Sequence, residues 1–336
     1  MIASTAVARW TWGREADSDD WTEEAVRTAL GTYGVLTRHR LALPDSASTV
    51  RISEYGRSRN LLLVQDFQPS SLTTDASVHP FLRALENNAS PGRISSIDVS
   101  THCPGIWYDG RSEHREEKLF SFTTSVTLGF LTLEMRTFSD AWMPFDLRGR
   151  EQSAVHTENQ PRLATALGEI SALIGDEVDP DDSTQYGIPT ATGVENHTED
   201  DGTASDVWQA FEVPYRNQVF RFTAETRTTD YARSASGPIT YLQVASAHKV
   251  LGYVWASDKE EAASFEPAES AGEEGYRAGL VWLGRLRAAK ERGLRPLQAL
   301  TRLRDEPMSR TAGHIVPDFT GAQKSLTDLF GLARNT

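Results

Sequence analysis

Glu195-Asn196-His197-Thr198-Glu199 sets a carboxylate two residues to either side of an imidazole. On an extended chain all three side chains point the same way, an arrangement that can hold a metal ion or pass a proton. Carboxylate neighbours also favour the imidazolium, which makes His197 a candidate pH-sensitive group. Glu195, His197 and Glu199 are therefore the candidate catalytic residues. The plainer reading is a solvated acidic loop in which such proximity is idle. His102-Cys103 is a second pairing of reactive types. Neighbours on an extended chain point to opposite faces, so the two side chains cannot pair, and a buried structural cysteine is the better account. His114-Arg115-Glu116-Glu117 reads as the charged approach to a hairpin. The chain holds no Gly-x-Gly-x-x-Gly, no Walker-type phosphate loop, no Gly-x-Ser-x-Gly and no His-Glu-x-x-His.

Charge is the most uneven feature. The formal net charge is −13, and between Arg162 and Arg216 there are twelve acidic residues and no Lys or Arg. Two clusters dominate that stretch: Asp176-Glu177-Val178-Asp179-Pro180-Asp181-Asp182 and Glu195-Asn196-His197-Thr198-Glu199-Asp200-Asp201-Gly202. Neither has the spacing of a calcium loop. Carboxylates so dense must be solvated, metal-bound or faced by cations, and one sign of charge steers an oppositely charged partner. Asp179, Asp181, Asp182, Glu199, Asp200 and Asp201 are thus candidate partner-binding residues, with Trp142 and Trp208 as candidate aromatic anchors. From Arg277 to Arg310 the balance reverses, with nine basic residues against three acidic. A net charge of −13 opposes direct binding to a polyanion, and no nucleic-acid-reading motif accompanies the basic stretch.

The remaining composition bounds the setting. At 336 residues, 39% of them hydrophobic, the chain can bury a substantial core. No apolar run approaches the roughly 18–20 residues that cross a bilayer. The N-terminus lacks a basic n-region and a sustained apolar run, and a single cysteine excludes internal disulfides. The expectation is a cytoplasmic protein with no cofactor.

The elements that must position these residues read as an α+β protein. Asp20-Trp21-Thr22-Glu23 has capping-box spacing, which predicts a helix capped by Thr22 and stopped at Gly34. Strands are predicted at about 36–43, 50–55 and 60–67, then a short helix opened by Pro80. Further strands follow near 94–99, 106–108, 118–124 and 127–137, the last two joined at about Ser125. Pro161 opens an amphipathic helix along Leu163, Leu167, Ile170 and Ile174, and Gly175 closes it. Hairpins are predicted over 208–224, turned at 215–217, and over 239–255, turned at 246–249. A helix capped at Ser270 carries the stripe Tyr276, Leu280, Leu283 and Arg287; Pro296 opens another, and a short one lies near 326–332. The organisation is an N-terminal half (1–175), an acidic connector or loop (176–206) and a C-terminal half (207–336), each half with antiparallel strands and helices on one face.

Several strings act together: Ser139-Asp140-Ala141-Trp142, Asp146-Leu147-Arg148-Gly149, Asn159-Gln160-Pro161-Arg162-Leu163, Gly252-Tyr253-Val254-Trp255-Ala256-Ser257-Asp258 and Glu274-Gly275-Tyr276-Arg277-Ala278-Gly279-Leu280-Val281-Trp282. In them the chain resembles a set of actinobacterial proteins to which no activity is assigned. In kind it is also similar to bacterial immunity proteins that neutralise toxins. The acidic surface of 176–206, with this likeness in kind, points to an acidic, non-enzymatic protein-binding protein, an immunity or inhibitor protein that captures a basic toxin or nucleic-acid enzyme. The alternative is a metal-assisted, hydrolase-type enzyme with Glu195, His197 and Glu199 between the two halves.

Overall fold

The computed structural model describes residues 1–222, 230–317 and 319–336, without the side chains of 58 and 59. The chain is α+β and divides into two units, Met1–Val207 and Trp208–Thr336.

In the first unit, Ala8, Trp10 and Trp12 are buried in alternation with outward residues and form strand β1 (Ala8–Glu15). Helix α1 (Trp21–Arg38) is capped by Asp20, whose carboxylate accepts from the backbone N–H of Thr22 and Glu23. Asp20, rather than Thr22, is therefore the cap. Gly34 does not stop the helix, because Val35 and Leu36 are buried and carry it on, and no strand forms at 36–43. The unit continues with β2 (Ala47–Glu54), β3 (Arg57–Phe67), α2 (Asp75–Asn88), β4 (Ile94–Tyr108), β5 (Glu113–Thr127), β6 (Phe130–Thr137) and α3 (Ser153–Ile174). Pro80 and Pro161 sit inside α2 and α3 instead of opening them. Both prolines are exposed, so the carbonyls they leave without a helical donor face water. The β5–β6 turn is Leu128-Gly129, both at positive φ, three residues beyond the expected joint at Ser125. The two strands expected at 94–99 and 106–108 are one, β4, irregular between Cys103 and Gly105.

These strands, with β7 (Asp179–Pro180), make an antiparallel sheet in the order β3-β2-β4-β5-β6-β1-β7. Phe120, Phe122 and Val126 alternate inward on β5, as do Leu131, Leu133 and Met135 on β6. Helix α1 packs on β4, β5 and α3. On the sheet's polar face Ser100, Thr123, Glu134 and Thr11 stand opposite one another on successive strands.

The second unit opens helically: one π-turn over Trp208–Glu212, α4 (Val213–Asn217), and a 3₁₀ turn over Gln218–Phe220. The hairpin expected over 208–224 is therefore a helical run as far as Phe220, and its end beyond Phe222 lies outside the described residues. Strands β10 (Ile239–Ala245) and β11 (Val250–Ser257) pair about Ser246–Lys249 as expected, and β12 (Ala262–Pro267), unanticipated, extends the sheet. Helices α5 (Gly272–Glu291) and α6 (Pro296–Leu303), short strands β13 (His314–Ile315) and β14 (Gly321–Gln323), and α7 (Leu326–Arg334) complete it. Strand β11 is buried on both faces: Val254 and Ala256 share a core with Trp282 of α5, while Tyr253 and Trp255 share one with Leu326 and Leu329 of α7.

The expected face of α5 is not the one it buries. Leu280 is 43% exposed, whereas Gly275, Ala278, Gly279, Trp282, Leu286 and Ala289 are buried. Small residues there let the helix backbone approach β11 and β12 closely. Ser270 does not cap α5; its hydroxyl donates to the Thr336 carbonyl.

Candidate functional site

The acidic stretch is folded into the first unit rather than strung beyond it. The Asp176 carboxylate accepts from Gly13 N–H at 3.2 Å. Strand β7 then pairs with β1, setting Asp179 opposite Thr11 and Pro180 opposite Trp10. Asp181 N–H donates to the Arg9 carbonyl, and its carboxylate lies 3.5 Å from the Arg9 guanidinium. The Thr184 hydroxyl donates to the Val7 carbonyl at 2.7 Å. A hairpin of β8 (Ile188–Thr190) and β9 (Gly193–Glu195) follows, anchored by buried Tyr186 and Val194. The Trp10 indole donates to the Thr190 carbonyl at 2.8 Å. Asn196 exchanges two hydrogen bonds with the backbone of Phe145.

This framework separates the Glu195–His197–Glu199 trio. His197 is half-buried, and its Nε2 donates to the Thr184 carbonyl at 2.7 Å. Glu195 and Glu199 are exposed, and Glu199 belongs to a turn in which its N–H donates to Thr203 and its carbonyl accepts from Gly202. Among the described residues no group of three or more His, Cys, Asp or Glu side chains is placed to hold a metal ion.

The carboxylates are held at fixed places with few cations against them. Glu177, Asp179, Asp182, Glu195, Glu199, Asp200 and Asp201 are exposed. Asp201 accepts from the Thr203 hydroxyl and N–H, which draw its carboxyl below the ordinary range. Within the Lys/Arg-free interval, Glu169 faces Arg38 and His39, and Asp181 faces Arg9. In the second unit Glu212 is buried against Arg216 at 2.7 Å.

The two tryptophans named as anchors are core residues. Trp142 is fully buried, its indole donates to the Thr137 hydroxyl at 2.7 Å, and its ring lies 5.2 Å from Phe120. Trp208 is buried beneath the Arg216 guanidinium, 4.6 Å from its ring centre. A partner reaches neither ring, so both are corrected from anchors to core: aromatic residues near strands and turns fill interiors first.

Elsewhere reactive types are structural. Cys103 is fully buried in β4, and burial pushes its thiol up to about 12. His114 stands inside β5, stacked 4.5 Å from Trp107 and 2.7 Å from Asp109. The His114 contact and two backbone N–H groups hold the Asp109 carboxyl down at about 2. In the basic stretch Arg277 pairs with Glu273, and Arg287 and Lys290 close on Asp230. Asp230 is nearly buried and also binds Arg233, three residues on, at 2.6 Å; Arg287 and Lys290 lie 57 and 60 residues away, so the cluster as a whole has no local signal in the sequence. In comparisons with protein families, with curated proteins and with solved structures, the chain matches none.

Proposed function

We propose that the protein is a non-enzymatic binder that captures a basic protein through the carboxylates of the 176–206 stretch. The supporting observation is order combined with exposure. A backbone tied to β1, Phe145 and its own turns presents Asp179, Asp182, Glu199, Asp200 and Asp201 to solvent. Fixed charges of one sign lose little entropy on binding and orient an approaching cation-rich surface. With both tryptophans in the core, the contact is electrostatic rather than aromatic. Among the described residues Glu195, His197 and Glu199 do not come together as a ligand set, which weighs against the metal-assisted reading.

The test compares the wild type with the variant carrying D179N, D181N, D182N, D200N and D201N. Asparagine keeps the acceptor that the Thr203 turn needs. A partner isolated from the native host is purified, and its association rate is measured from roughly 50 to 300 mM salt, across which the Debye length shrinks about twofold. The wild-type rate should fall with salt, and the variant should associate about tenfold more slowly with an unchanged melting temperature. Equal rates for the two proteins, or a rate indifferent to salt, would overturn the proposal.

A further inference from the structure

Three guanidiniums of the second unit line one small notch. Between α5 and α6 a cleft of about 310 Å³ is bounded by Arg285, Arg292, Arg302 and Glu306. Its floor is small and apolar: Val281, Gly284, Ala288, Ala289 and Leu303. Arg285 is mostly buried and stacked 4.3 Å over the Trp282 ring. Its Nε stands 3.6 Å from Glu306, a loose pair, and its Nη2 meets the Pro307 carbonyl only at 3.4 Å. Its Nη1 is buried with no hydrogen-bond partner. Buried donors almost always find an acceptor, so this one is poorly settled where it stands, and Arg285 would turn its fork toward the notch to meet an anion there. Arg292 and Arg302 are exposed, and among the described residues neither side chain has an ion pair or hydrogen bond.

A cation near each helix C-terminus is ordinary, since it offsets the helix dipole. That accounts for Arg292 at the end of α5 and Arg302 in the last turn of α6. It does not account for Arg285, which lies two turns earlier on α5 and leaves a donor idle. Three guanidiniums against one carboxylate leave two positive charges unmatched. Guanidinium forks suit the oxygens of a phosphate, and a phosphate monoester carries close to two negative charges at neutral pH. We infer that the notch between α5 and α6 binds a low-molecular-weight phosphate monoester, held by Arg285, Arg292 and Arg302. The volume is at the small end for ligand sites, enough for the phosphoryl group and a compact organic part. The inference is independent of the acidic stretch of the first unit.

Calorimetric titration of the full chain with phenyl phosphate tests it, with phenyl sulfate as the singly charged counterpart of the same shape. Phenyl phosphate should bind saturably below roughly 1 mM and several-fold tighter than phenyl sulfate. The variant R292Q/R302Q should lose about tenfold in affinity for each arginine replaced, the value of a charge-assisted hydrogen bond. A second variant, G284E, adds a carboxylate where a Cβ meets no atom within 4 Å, so it keeps the fold and should abolish binding. An absence of saturable binding, equal affinity for the sulfate, or unchanged affinity in both variants would sink the assignment. So would tighter binding to an oligonucleotide without a terminal phosphate, which would mark the notch as a seat for a nucleic-acid backbone.

Discussion

Two glycines of α5 predict opposite results from the same substitution. A Cβ on Gly279 would lie 2.5 Å from Cζ of Phe220 and 2.6 Å from Cδ1 of Phe265. Both rings are fully buried and set edge-on to each other at 5.7 Å, so neither has room to swing aside. Around Gly284 nothing lies within 4 Å of that position. Alanine in place of glycine inside a helix gains roughly 1 kcal/mol, largely from the entropy of the unfolded chain. For G284A that gain stands alone. For G279A it is opposed by overpacking, which costs about 1–3 kcal/mol, and a contact some 1 Å inside normal carbon separation belongs at the upper end. The net is a loss of about 1–2 kcal/mol, and the two variants should differ by roughly 2–3 kcal/mol. At about 4 °C per kcal/mol for a unit of this size, their melting temperatures separate by around 10 °C. Thermal melts and urea titrations of the full chain, followed by near-ultraviolet circular dichroism, provide the measurement. G279A melting at or above G284A would refute the close seating of α5 on Phe220 and Phe265.

Two further outcomes can be checked on the same material. D230N removes the carboxylate that Arg233 and Arg287 share and takes the counter-charge from the buried Arg233 guanidinium, so urea titration should show a loss of about 3–5 kcal/mol. Burial raises the Asp230 carboxyl, but the guanidiniums of Arg287 and Arg233 outweigh it and hold the group below its ordinary range. Its contribution is therefore present above the unfolded value of about 3.9 and is lost as pH falls through the folded one, so the acid limb of the stability profile should flatten in D230N. Cys103, with its thiol pushed up to about 12 in the core, should react with a thiol-specific disulfide reagent only after unfolding; prompt labelling of the native protein would contradict its burial.

What the sequence disclosed follows the physics of each segment. Alternation makes β5 and β6 legible, because a half-buried strand must repeat with period two, while β10 and β11 show as apolar runs about a turn, β11 being buried on both faces. The same alternation lies in Ala8, Trp10 and Trp12 of β1, whereas β12 offers only a short run, Ala262-Ala263-Ser264-Phe265. Residues 208–220 carry Trp, Phe, Val and Tyr, types that favour strands, yet they fold as helix with Trp208, Val213 and Phe220 turned inward. On α5 the larger residues drew the predicted stripe, while the buried face is built from glycine and alanine. Hydrophobicity alone does not find a face selected for closeness. The candidate site was legible in charge but not in shape. The run of carboxylates is plain in the sequence, whereas the pairing of β7 with β1 and the capture of His197 by Thr184 are long-range or turn-specific contacts.

Strand β7 has a consequence for solubility. The outermost strand of a sheet is a template on which a stray chain can add, and proteins blunt it by brevity, proline and charge. Here all three coincide, in a strand of two residues, Asp179 and Pro180, followed by Asp181 and Asp182. An incoming strand finds scarcely any free backbone to copy and meets repulsion if it belongs to a second molecule of the same kind. Loss of these residues would thus uncover β1, the strand that carries Trp10 and Trp12, and invite sheet-to-sheet polymerisation.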